Sequence, residues 1–264
     1  MLASALRNRG KTCFGQGNYV QARDDLQAAL RIMMKIGLDD TDPASQEVLT
    51  YVLADCGLLY QRLGEVDLSE KSLEMAMDVA GKLALRRPDM PNYVKIYAGL
   101  RKELALLHVK TKKFQDAERE LHGVIQYLSG SAAAYPSQAA NLRFETAVVA
   151  TELGRAYAVA DRWNDAESAF QLAAETYREL AGENPDAASY QVEQIRFQVE
   201  VGCLYLQHKR LEAAETHLSD AEVLAESRRK HFPEDDTVQA ALADIHVGLA
   251  QVHFAQGDSE NAER

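Results

Sequence analysis

Gly10-Lys11-Thr12 has the ending of a phosphate-binding loop, in which the lysine reaches a phosphate and the hydroxyl a metal ion. Such a loop needs another glycine five residues earlier, and Ala5 stands there. It also needs a preceding strand, and no strand fits ahead of Gly10. Seven histidines raise the question of a metal. His246 and His253 are seven apart on one expected helix, with no HExxH and no cysteine pair, so core and surface roles fit them better. The carboxylates form no acid/base constellation. Runs such as Asp39-Asp40-x-Asp42 and Glu234-Asp235-Asp236 read as solvated loop and helix-start charges. The chain therefore reads as a non-enzyme with no catalytic residue, no cofactor and no metal site.

Composition narrows the class further. A net charge of −11 is the opposite of a chain-wide nucleic-acid footprint. No apolar run reaches the ~18 residues that a membrane span needs, and the N-terminus has no signal-peptide core. Cys13, Cys56 and Cys203 are odd in number and far apart, as expected of reduced thiols in a cytoplasmic protein.

The elements that would position any site repeat along the chain. Small residues at Ala22, Ser69, Ala117, Ala166, Ala214 and Ala262 are 47, 48, 49, 48 and 48 residues apart. A second small slot holds Gly10, Gly57, Ala105, Gly154, Gly202 and Ala250, followed three residues on by Cys13, Tyr60, His108, Tyr157, Tyr205 and His253. A fixed period of this size means a stacked array. Pro43, Pro88, Pro91, Pro136, Pro185 and Pro233 all fall between repeats, where helices must break. A softer break inside each repeat, such as Leu63-Gly64-Glu65 or Gln256-Gly257-Asp258, is short enough to force two antiparallel helices. Trp163, Ala166, Phe170, Ala173, Ala174 and Tyr177 form one helical stripe, and no segment alternates with period two. A glycine inside a helix costs about 1 kcal/mol relative to alanine. The expected compensation is close approach of the second helix, which carries Ala166 or Ala214, while the aromatic slot fills the wider gap.

Leu153-Gly154-x-x-Tyr157 followed by Trp163, Ala166, Phe170 and Ala173 resembles the tetratricopeptide repeat (TPR). The period near 48 residues exceeds the family's common 34. It resembles the long-period arrays of bacteria, some of them attached to Ser/Thr protein kinases, as does the linker Leu180-Ala181-Gly182-Glu183-Asn184-Pro185-Asp186. The implied fold is all-α, a right-handed solenoid of about 5.5 hairpins with long helices. The whole of 1–264 forms one array, with repeats at approximately 1–40, 44–87, 91–131, 137–182, 187–231 and a truncated 235–264.

In arrays of this kind the first helices line a concave groove. Carrying the groove-facing slots onto this chain gives Arg7, Lys11, Arg62, Lys102, Lys110, Arg155 and Arg196, with Asp244 as the acid among them. That basic line in an acidic chain implies a non-catalytic scaffold for a peptide or helix, in particular an acidic one. Lys11 and Leu58 stand where a carboxylate clamp would have asparagine, so the known clamp pattern is not reproduced. Two further expectations are a regulatory array within a larger effector protein and self-association through an uncapped last repeat. Neither nucleic acid nor membrane insertion is expected.

Overall fold

The computed structural model describes residues 2–36, 42–87, 90–184 and 187–257. Pro88, Pro185, Asp39, Asp40 and the second helix of the sixth repeat lie outside them. The described residues form eleven α-helices and one 3-10 turn, Pro136–Gln138, and contain no strand. The helices are α1 Leu2–Gly15, α2 Tyr19–Ile36, α3 Pro43–Leu63, α4 Val66–Arg86, α5 Pro91–Lys110, α6 Phe114–Ala134, α7 Ala139–Val159, α8 Trp163–Glu183, α9 Ala188–Gln207, α10 Leu211–His231 and α11 Asp236–Gln256. From α3 onward each runs for 20 or 21 residues, so the long period lengthens both helices of a repeat.

Local chemistry sets these bounds. Pro43 opens α3, and the Asp42 carboxylate accepts from the Ser45 backbone N–H at 2.9 Å. Pro91 opens α5 likewise, but its N-cap Met90 makes no side-chain cap. The turn inside each hairpin carries one left-handed residue. It is glycine at Gly17, Gly64 and Gly257, and it is Lys112, Asp161 and Lys209 elsewhere, with φ near 60°. Each non-glycine there costs about 1 kcal/mol. The turn closes on the carbonyl of the aromatic slot: Glu65 N–H donates to Tyr60, Lys113 to His108 and Arg162 to Tyr157.

The chain divides into two compact units, Met1–Trp163 and Asn164–Arg264. In the first, α1 packs on α2, α3 on α4 and α5 on α6, and each hairpin leans on the next through α2–α3, α4–α5 and α6–α7. Leu26, Leu53, Leu59 and Leu73 anchor its core. In the second, α9, α10 and α11 pack mutually around Ile195, Ala221, Ala225, Val238 and Ile245. Phe170 and Tyr177 of α8 meet Tyr205 and Phe197 of α9.

The second helix comes close at the glycine notch, and a leucine side chain enters it. A Cβ on Gly57 would lie 2.8 Å from Leu73 Cγ, and one on Gly202 would lie 2.7 Å from Leu218 Cγ. On Gly10 it would lie 3.0 Å from Leu26 Cγ. The tenant is thus a leucine four residues beyond the small slot, and the carbonyl of the small residue itself also closes on the notch, Ala22 O at 3.3 Å from a Cβ on Gly10 and Ser69 O at 3.5 Å from one on Gly57.

A charged staple joins successive hairpins of the first unit. Arg23 pairs with Glu65, Glu70 with Lys113 at 2.8 Å, and Glu118 with Arg162 at 2.6 Å. Each pair bridges the start of one second helix to the turn before the next. Arg23 and Arg162 also stack over Tyr60 and Tyr157, and the Tyr157 hydroxyl donates to Glu118 at 2.8 Å.

Candidate binding surface

The first helices of the hairpins carry the sequence-derived candidates. In the first unit, Arg7 of α1 donates from Nε to Asp55 Oδ2 of α3 at 2.5 Å, and its guanidinium lies 4.7 Å over the Tyr51 ring. Lys11, one turn along, is exposed and also acts on Asp55. Burial pushes the Asp55 carboxyl above its usual range, while Arg7 and Lys11 pull it back. Arg62 is exposed in the last turn of α3. Lys110, in the last turn of α5, donates to Gln61 Oε1 at 3.1 Å, so it lies beside the residue preceding Arg62. Lys102 is half-buried on α5. Arg155 of α7 pairs with Glu152 at 3.5 Å.

In the second unit, Arg196 of α9 pairs with Glu193 at 2.8 Å and stays largely exposed. It edges an apolar cavity of about 170 Å³ between α9 and α11, whose walls include Ile195, Val199, Val238 and Ala241 and whose opposite edge holds Asp244. The space suits one apolar side chain.

The seven cations are therefore not equivalent. Arg7, Arg155 and Arg196 are each held by a carboxylate, whereas Lys11, Arg62, Lys102 and Lys110 have no ion pair among the described residues. Two of the acids were visible in the sequence, since Glu152 and Glu193 sit three residues before their arginines. Asp55 was less visible because it reaches Arg7 from another helix. The apolar cavity was not foreseen; its signal was Val192, Ile195 and Val199 in helical spacing above Thr237, Val238 and Ala241. Gly10 of the phosphate-loop-like run is a buried position of α1. No group of three potential metal ligands occurs among the described residues, and no described helix is long and apolar enough to cross a membrane.

Fold and surface together define a class: an all-α, solenoid-type array of antiparallel helix hairpins. Residues 146–186 match the family model described as Tetratricopeptide repeat. The crystal structure of BtubC (BKLC) from P. vanneervenii is similar at 19% identity and a TM-score of 0.59, covering 91% of this chain and 85% of that one. A Podosopora anserina putative kinesin light chain with nearly identical TPR-like repeats is 18% identical, with a TM-score of 0.57, over 86% of this chain and 96% of its own. A Rap protein complexed with Competence and Sporulation Factor is 15% identical, with a TM-score of 0.53, over 98% of this chain and 71% of its own. At these identities the likeness is one of fold. No curated protein matches the sequence.

Proposed function

We propose that the chain is a non-catalytic protein-interaction scaffold that binds an acidic peptide segment along α1, α3 and α5. The observation carrying this reading is the set of four cations without ion pairs, Lys11, Arg62, Lys102 and Lys110, on the first helices of a chain whose net charge is −11. Arg7, Arg155 and Arg196 have their own carboxylates and serve the surface by holding it in shape. Support also comes from the fold, since the similar Rap structure was solved in complex with Competence and Sporulation Factor. Affinity spreads over several repeats, and electrostatics supplies orientation and encounter rate. The test is fluorescence anisotropy with a labelled glutamate-rich peptide against the native chain and the Lys11→Glu/Lys102→Glu/Lys110→Glu variant. Binding should weaken as salt rises, and the triple reversal should lower affinity at least about tenfold, roughly 1.4 kcal/mol, with helicity unchanged. Equal affinity in the variant would dismiss the groove.

A second reading, self-association through the last hairpin, is favoured by one observation. α11 leaves Val247 59% and Phe254 77% exposed. Exposed apolar stripes of this kind mark association surfaces.

A further inference from the structure

The interface between α4 and α5 in the first unit recurs in sequence between α8 and α9 in the second, 97 residues on. At the first, two phenol rings fill the space. Tyr97 lies against Gly81, whose ideal Cβ would be 3.3 Å from Tyr97 Cε2. Tyr127 meets Tyr97 edge-on, with ring centroids 5.0 Å apart. At the second, the residues in the slots of Gly81, Tyr97 and Tyr127 are Arg178, Gln194 and Leu224. All three line a cavity of about 500 Å³ beside the ends of α8 and α10. That volume falls within the range of about 300–1,000 Å³ found for small-molecule sites.

The polar groups of this cavity are out of keeping with a packed core. Gln194 is only 8% exposed and has no hydrogen bond among the described residues. Its amide atoms keep some solvent access, and Leu49 fills the same slot in α3 with an apolar side chain. Arg228, likewise 8% exposed, replaces the core leucine Leu83 of α4. It spends its donors on Asp235, at 2.8 Å, and on Gln191, at 2.8 Å. Its charge is met by Asp235, which the Arg228 guanidinium holds below the usual carboxylate range. Arg178 has no ion pair among the described residues, and no acid is among the described residues lining the cavity. His231 is turned to the Ser227 carbonyl at 2.9 Å. One cation is thus left unmatched beside an unpartnered amide, with an apolar wall of Ile195, Leu224 and Phe232 opposite.

We propose that this cavity binds a small aromatic carboxylate. Its ring system takes the place that Tyr97 and Tyr127 hold in the first unit. Its single negative charge meets Arg178, and its oxygens accept from the Gln194 amide. The site is independent of the first-helix groove and uses none of its residues.

The probe is 2-naphthylacetate, titrated into the full chain by calorimetry and followed through the side-chain amide resonances of Gln194. Saturable binding is expected, with the Gln194 signals moving and those of Gln46 in α3 staying still. The neutral analogue 2-(2-naphthyl)ethanol should bind at least about tenfold more weakly. Arg178→Met, at an exposed position, should cost a similar factor. Arg178→Gly/Gln194→Tyr restores the Gly81 and Tyr97 slots of the α4–α5 interface, should fold, and should abolish binding by placing a ring in the cavity and removing its cation. The proposal is overturned if 2-naphthylacetate does not saturate at millimolar concentration. It is equally overturned if the alcohol binds as well as the acid, or if the double variant binds unchanged.

Discussion

At Gly57 a single hydrogen sets how near α3 and α4 come. A methyl group there would sit 2.8 and 2.9 Å from two carbons of Leu73, which is 1% exposed and has nowhere to retreat. Alanine would bring a helix-propensity gain of about 1 kcal/mol, but overpacking costs about 1–3 kcal/mol. Gly57→Ala should therefore lower stability by up to about 2 kcal/mol on balance. Gly99 in α5 has nothing within 4 Å of its would-be Cβ. Gly99→Ala should raise stability by about 0.5–1 kcal/mol. Urea unfolding midpoints check both, and shifts of the same sign would remove the case for a packing notch. The sequence separates the two glycines by period alone: Gly57 falls in the repeated slot and Gly99 does not. It does not reveal the leucine, because four residues along a helix and one residue across an interface look alike until the helices are docked.

Among elements, the helices were the legible part. Prolines at the starts of α3 and α5 and glycines at Gly64 and Gly257 carry their own conformational rules, so the chain announces those bounds locally. The charged staple has no such local mark. Glu118 and Arg162 are 44 residues apart and read singly as solvated charges. Only aligning Arg23, Glu70 and Glu118 against Glu65, Lys113 and Arg162 shows opposite signs facing each other in every step. The polarity is reversed in the first step, so Arg23 would repel Lys113 if hairpins one and three docked in error. The pairing of the candidate groove residues is not legible in the sequence, since Asp55 reaches Arg7 only once α1 and α3 are side by side. Glu118 offers the test of the staple. Hydrogen bonding from Arg162, and then from Tyr157, lowers its pKa from the ordinary carboxylate value. A lowered folded-state pKa gives stability that is complete above the unfolded-state value and is lost as pH falls through the folded one. Glu118→Gln should thus cost about 1 kcal/mol near neutral pH and progressively less as the solution is acidified. Denaturant titrations across the acid range check this; a cost independent of pH would mean that the carboxylate charge has no part in the staple.

At the scale of the whole molecule, the first and last described helices present opposite surfaces. In the slots where α3 buries Val52, Cys56 and Leu59, α1 exposes Ala5, Arg9 and Thr12. Arg9 is further committed to Asp25, at 2.6 Å. α11 instead exposes Ala240, Ala243, Val247 and Phe254 on one largely apolar stripe, flanked by exposed Asp244 and Gln251. Head-to-tail stacking would press that largely apolar stripe against Arg9 and strip water from its guanidinium. Two copies of α11 set antiparallel about Val247 have no such conflict. Phe254 of each then faces the small Ala240 of the other, a large-to-small fit that a two-fold axis satisfies twice. The self-association reading therefore takes a specific form: a closed dimer, not a filament. Sedimentation velocity over a concentration series should show monomer converting to dimer and no larger species. Val247→Glu/Phe254→Glu should weaken the dimer at least about tenfold, with the helical signal unchanged. A strictly monomeric chain would end this reading, and growth beyond two copies would mean that the polar face of α1 takes part after all.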